Sequence, residues 1–192
     1  MGKETSPALA FHPVTRERLP DLERFSREHG KFRWCSCMRW RMTSTQFKES
    51  TGQQRAAALV GLVQGGTPVG VLAFAQDRPV GWCSVAPRET YEGLARYKAL
   101  PRLDDAPVWS VVCFFIDRRF RRQGVMLGLL SAGVDYAVSC GASIVEGYPV
   151  APHSGLYTFM GSPATFLRAG FVDVTPGGWE RRVMRYLVSE NV

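Results

Sequence analysis

The stretch "RRFRRQGVMLGLL", residues 118–130, decides how the rest of the chain reads. Arg118, Arg119, Arg121 and Arg122 surround Phe120, a Gln–Gly pair follows, and an apolar run begins. Just upstream, "PVWSVVCFFI" (107–116) is almost continuously apolar, as a strand buried on both faces must be. Downstream, Leu127, Leu130, Val134 and Val138 recur three or four apart, the stripe of a helix running to Ser139. The order is therefore strand, basic turn with a glycine, helix. A helix start exposes unpaired N–H groups and the positive end of a dipole, so anions bind there. Gly124 keeps a side chain out of the approach to the backbone. Flanking arginines add paired donors for phosphate oxygens. The spacing G-x-x-x-x-G-K-[ST] is absent, so this is no Walker loop. A solvated basic turn is the alternative reading. A nucleic-acid patch fits less well, because only Phe120 interleaves with the charge.

Outward from this stretch the periodicity changes several times. "ALAFHPVT" (8–15) reads as an edge strand, and "RERLPDLERFSREHG" (16–30) as a helix closed by Gly30, with Leu19, Leu22 and Phe25 on one face. "STQFKESTGQQRAAALVGLVQGG" (44–66) is a second helical region, strongest from Gln53 to Val63. "PVGVLAFAQ" and "VGWCSVAP" flank a turn and read as a hairpin. A short helix falls in 88–100 and a strand in 142–150. "SPATFLRAG" (162–170) has a serine cap, Pro at the first helical position and Gly170 as its stop. The last segments, around Gly177 and Gly178, read as a terminal hairpin. Gly128 and Gly133 lower helix propensity and permit close approach to a sheet. The order β, α, α, β, β, (α), β, α, β, α, β, β, without repeat or low-complexity linker, makes residues 1–192 one α/β domain.

Composition narrows the class. With 192 residues, 45% of them hydrophobic, the chain can bury a substantial core. The 24 basic and 17 acidic residues leave a formal charge of +7, which favours anionic partners. The five cysteines are an odd number and no secretory leader is apparent, so free thiols and a cytoplasmic location are expected. No run is long and apolar enough to span a membrane. Gly2 and Ser6 match a myristoylation pattern that is short enough to arise by chance. The three histidines form no paired motif and Cys35 and Cys37 are spaced C-x-C, so no metal site is expected.

The element order, the R-x-x-G-x-x spacing at Arg121, Gly124 and Met126, and "FLRAGF" (166–171) resemble the GNAT superfamily of acyl-CoA-dependent N-acetyltransferases. The resemblance runs from about residue 9 to 188, and "VGWCSVAPRE", "WSVVCFFI" and "VEGYPV" resemble an uncharacterised bacterial branch. It implies a mixed, mostly antiparallel sheet of about seven strands with flanking helices and a cleft where the fourth and fifth strands splay apart. It implies acetyl-CoA as acyl donor, held by backbone N–H groups around Arg121, Arg122, Gln123, Gly124, Val125 and Met126. It places the amide that polarises the thioester carbonyl near Phe114, Phe115 and Ile116. Two departures stand out. Met126 occupies a position where the family prefers Gly or Ala. Phe166 stands where many members carry a Tyr that protonates the departing thiolate.

Attack on a thioester also needs a neutral amine. Glu146, in an otherwise apolar strand, is the candidate general base, with an arginine-paired structural carboxylate as the alternative. Asp117 is a second candidate that otherwise ends the strand. Tyr157 or Tyr148 are stand-ins for the missing acid. The segment "WCSCMRW" (34–40) resembles, by position, the family's acceptor wall. Trp34 and Met38 would form an adaptable slot there, and Arg33, Arg39 and Arg41 would suit an acceptor bearing a carboxylate or phosphate. His153 and Ser154 beside Glu146 lack the nucleophile elbow of a hydrolase. The expected activity is acetyl transfer to a small-molecule or peptide amine by direct attack in a ternary complex. A non-catalytic acyl-CoA-binding module and an acetyltransferase acting on charged tRNA are the alternatives, and the terminal hairpin offers an edge for a homodimer.

Overall fold

A computed structural model describes residues 8–151 and 157–188. The strand that carries the opening stretch is the pivot of the sheet. It is β4 (Trp109–Ile116), and its side chains are buried on both faces up to Phe114. Before it come β1 (Leu9–Pro13), β2 (Val71–Ala75) and β3 (Arg78–Pro87); after it come β5 (Ile144–Gly147), β6 (Val172–Asp173) and β7 (Met184–Leu187). Among the described residues they form a seven-stranded sheet in the order β1-β2-β3-β4-β5-β7-β6. Every pairing is antiparallel except β4 with β5. That parallel pair is short: Trp109, Ser110 and Val111 face Val145, Glu146 and Gly147. Beyond it β4 runs on to Ile116 with no strand on that side among the described residues, which is the expected splay.

Helices cover both faces. α1 (Leu19–Glu28), α2 (Gly30–Cys35), α3 (Ser44–Glu49), α4 (Gly52–Gln64) and α5 (Glu92–Ala95) precede β4 in sequence. Leu22, Phe25, Phe32, Leu59 and Leu94 from this group pack on Leu72, Trp82 and Val112 of the sheet. α6 (Val125–Ser139) and α7 (Pro163–Arg168) take the other face, where Leu129, Leu130 and Phe166 meet Val85, Val111 and Phe114. Burial of these apolar faces at roughly 25 cal/mol per Å2 is the main stabilising term.

Several expectations need correction. Gly30 does not close a helix. α1 ends at Glu28, His29 takes a non-helical conformation, and Gly30 opens α2. The region 44–66 is two helices, because Thr43 and Thr51 each cap a start with a Thr–Gln capping box. The strand in 142–150 shrinks to β5. On α6 the buried stripe is Val125, Leu129, Leu130, Gly133, Val134 and Ala137; Leu127 is half-buried and Val138 is exposed. Gly128 does sit close to the sheet, since a Cβ there would lie 2.2 Å from the Phe11 ring on β1. The terminal hairpin forms, with α7 capped by the Ser162 side chain and Gly170 at φ +86° leading into β6.

Candidate active site

The turn between β4 and α6 is shaped by Asp117. Its carboxylate accepts from the Arg119 backbone N–H at 3.1 Å and pairs with the Arg119 guanidinium at 2.6 Å. These bonds hold Asp117 down at about 2, chiefly through Arg119, so it is a poor proton acceptor and serves to end the strand. Arg122 and Gly124 both take positive φ, 61° and 78°, which turns the chain into α6. The first intrahelical bond of α6 runs from Gly128 N–H to Gly124 O at 3.1 Å. The N–H groups of the preceding residues therefore point out of the helix end. A Cβ on Gly124 would meet nothing within 4 Å, so the approach is open.

A cavity of about 590 Å3 lies against this helix start. Phe114, Phe115, Ile116, Arg121, Arg122, Gly124, Val125 and Met126 line it, so the expected cofactor residues come together, with one exception. Gln123 is outside the lining, because its side-chain amide donates to the Arg119 carbonyl at 2.8 Å. The far wall was not foreseen. It comes from Thr158 and Phe159 in the 3-10 turn Thr158–Met160, and from Thr165 and Arg168 of α7. No motif marks that wall; only the topology brings it opposite β4.

Glu146 proves to be the arginine-paired carboxylate. It is 2% exposed and lies between Arg88, at 3.1 Å, and Arg185, at 2.8 Å. Tyr148 donates to it at 2.6 Å, and Ser110 lies 2.8 Å from the same hydroxyl. Arg88 also donates to Tyr148 and to the Leu100 carbonyl, and Arg185 continues to Asp104 at 2.6 Å. Two guanidinium groups and two carboxylates thus neutralise one another, and both Glu146 oxygens are engaged. Burial pushes the Tyr148 phenol well up, and neither Glu146 nor Tyr148 lines the cavity. Arg88, Asp104 and Arg185 were not singled out in advance. An arginine in the apolar run of the last strand was the one available signal.

Phe166 is fully buried. It packs edge-on against Phe114 and Phe171, and its ring fills the space over Gly147, where a Cβ would lie 2.1 Å away. It does not line the cavity. Tyr157 lies on the other side of the 3-10 turn, stacked on Trp40 at 5.8 Å and beneath Arg181 at 4.7 Å. Met38 is 4% exposed and belongs to the core rather than to an open slot. Arg39 lies over Trp40 at 5.1 Å, while Arg33 is exposed. Arg41 is buried against Tyr91 and donates to Thr90 and to the Pro68 carbonyl. Trp34 lies in α2, and its side chain is outside what the structure describes. Gly2, Ser6, His153 and Ser154 are also outside the described residues. Cys37 accepts from the Trp82 indole N–H at 2.9 Å, and burial raises its thiol well up. Among the described residues no group of three or more His, Cys, Asp or Glu is placed to hold a metal ion. No described helix is long and apolar enough to cross a membrane.

A profile of the acetyltransferase (GNAT) family matches residues 19–153. The chain belongs to the GNAT acetyltransferase family. Comparison with curated protein sequences gives no match. Solved structures of similar fold include the aminoglycoside N-acetyltransferase AAC(6')-Iy in complex with CoA, at 13% identity, TM-score 0.55, and 90% and 93% coverage of the two chains. yncA, a putative acetyltransferase from Salmonella typhimurium with its cofactor acetyl-CoA, is similar at 14% identity, TM-score 0.55, and 95% coverage of both. A ribosomal-protein-alanine N-acetyltransferase from Brucella melitensis is similar at 14% identity, TM-score 0.54, and 93% and 99% coverage. At such identities the likeness is one of fold. In this acetyltransferase the splayed strands, the basic turn and the helix start stand in the order the family resemblance implies.

Proposed function

We propose that this acetyltransferase takes acetyl-CoA as donor and acetylates an amine by direct attack within a ternary complex. The observation that carries the reading is the cavity bounded at once by the open edge of β4, the N-terminus of α6 and Arg121 with Arg122. The residues fit the donor. Backbone N–H groups at the start of α6 and the two guanidinium groups suit a pyrophosphate. The donor would supply a thioester carbonyl. Backbone N–H groups of Phe114–Ile116 are the candidates for stabilising the charge that develops on its oxygen, a contribution of roughly 3–4 kcal/mol for a well-aimed donor.

Proton handling is left to solvent and to the leaving group in this scheme. Glu146 and Asp117 are both tied to arginines. A thiol with a pKa of about 8.5 leaves tolerably without a dedicated acid, so Phe166 is compatible with turnover. Calorimetric titration with acetyl-CoA, beside dephospho-CoA and free acetate, tests the donor site. Micromolar binding of acetyl-CoA, weakened about 10- to 100-fold by Arg121→Ala plus Arg122→Ala, is expected. Absence of binding, or binding indifferent to both substitutions, overturns the assignment. Competition by RNA with a steep salt dependence would point instead to a tRNA-borne acceptor.

A further inference from the structure

A second cavity, of about 620 Å3, adjoins the donor cavity and shares only Phe115 and Arg121 with it. It forms where the α1–α2 joint around His29 meets Arg78 of β3 and the basic turn after β4. Its charge is one-sided. Lys31, Arg78, Arg118, Arg119 and Arg121 line it, against the two carboxylates Glu28 and Asp117. Both carboxylates are already engaged. Glu28 is held by Arg78 at 2.9 Å and Arg24 at 3.0 Å, and Asp117 by Arg119 at 2.6 Å. The ion pairs among the described residues include none of Lys31, Arg118 and Arg121. Arg121 donates only to a neutral acceptor, the Ile116 carbonyl, at 3.2 Å. His29 adds little charge at neutral pH, because burial pulls its imidazole below the usual range.

Three unmatched cations thus converge on one concavity. On a convex face such groups are simply hydrated. Here the walls include the His29 and Phe115 rings, packed at 5.3 Å, and low-dielectric walls focus the field of the charges around them. A monoanion would leave most of that charge unmatched. A phosphoryl group brings more than one charge and several acceptor oxygens, which suit guanidinium forks and an ammonium together. The volume suits a small organic ligand. A polynucleotide asks for cations spaced along a groove with exposed rings between them, whereas these are gathered at one place.

We infer that this cavity is a second anion site, for a phosphate dianion that is free or carried on a small molecule other than the acyl donor, and that its occupant opposes donor binding through Arg121. The opposition rests on the donor reading above; the site itself does not. Arg121 lines both cavities, so its guanidinium can serve the donor's phosphates or the second anion. Two anions held on either side of it also repel one another. Linkage makes the effect reciprocal, so the donor weakens the second anion by the same factor. A phosphorylated compound would thereby restrain acetyl transfer without resembling either substrate.

The test is calorimetric titration of the full chain with inorganic phosphate, and separately with glycerol phosphate, at constant ionic strength. Phosphate should bind saturably; tighter binding of the ester would show that a monoester is the natural form, and weaker binding that free phosphate is. Lys31→Ala plus Arg118→Ala, which alter the second cavity alone, should weaken phosphate about 10- to 100-fold, while Arg122→Ala, which alters the donor cavity alone, should not. Saturating phosphate should weaken acetyl-CoA about 5-fold, and the Lys31–Arg118 double variant should lose that effect. No saturable binding at millimolar phosphate, or binding indifferent to Lys31 and Arg118, overturns the inference. So does phosphate binding that acetyl-CoA abolishes and dephospho-CoA spares, which would give the cavity to the donor's own 3'-phosphate. Antagonism that persists in the double variant is direct competition in the donor cavity and overturns the coupling. Phosphate binding through Lys31 and Arg118 with no binding of acetyl-CoA would keep the second site and overturn the donor reading alone.

Discussion

At Phe166 a hydroxyl would have nowhere to go. The ring is enclosed by Phe114, Phe171, Gly147 and Gly161. Phe166→Tyr should therefore lose about 1–3 kcal/mol, the cost of burying an unpaired hydroxyl, without raising kcat. Chemical unfolding and thiol-release kinetics check the two halves. Asp117 gives a pH signature. Its folded value of about 2 lies below the unfolded value of about 3.9, so its contribution is present above pH 4 and lost as the pH falls toward 2. Acid unfolding of Asp117→Asn should lack that part of the decline, measured against wild type between pH 4 and 2. Residue roles were the least legible level of the sequence. The places of Arg121 and Gly124, before and at the start of α6, could be read because a motif fixes them. Glu146 could not, since its partners Arg88 and Arg185 are brought to it only by folding.

Elements were more legible, because the periods of β4 and α6 differ so plainly and Ser162–Pro163 announces α7. What blurred were joints such as His29–Gly30 and Ser50–Thr51, where a cap rather than a period decides the boundary. One joint positions residues 39–42, part of the expected acceptor wall. Gly93 of α5 donates its N–H to the Trp40 carbonyl at 2.8 Å, and a Cβ on it would lie 2.4 Å from the Met42 carbonyl oxygen and 3.1 Å from that of Arg39. These are backbone atoms that cannot rotate away. Gly93→Ala should displace residues 39–42, lower stability by about 1–3 kcal/mol, and raise the acceptor KM with acetyl-CoA affinity unchanged. Steady-state kinetics with calorimetry on the same variant separates those effects.

At the scale of the whole molecule, the four charges of Arg88, Glu146, Arg185 and Asp104 join β5 and β7 to the loop before β4. Glu146→Gln leaves two arginines without their shared carboxylate, and a loss of about 3–5 kcal/mol in unfolding free energy is expected. Below its melting range the variant should keep its kcat and pH profile. A changed profile would return Glu146 to the role of base. The fold could be read at this scale because the order of elements, with the long apolar strand feeding a glycine turn and helix, admits few sheets. The insertion of β7 between β5 and β6 could not be read from a two-stranded hairpin alone. That insertion has a consequence for the chain as it leaves the ribosome. β5 can pair with β4 early, yet its other edge and its buried carboxylate wait for Arg185. Until residues 184–187 emerge, the sheet is open at an inner seam rather than at its rim, and a nascent chain would need shielding there.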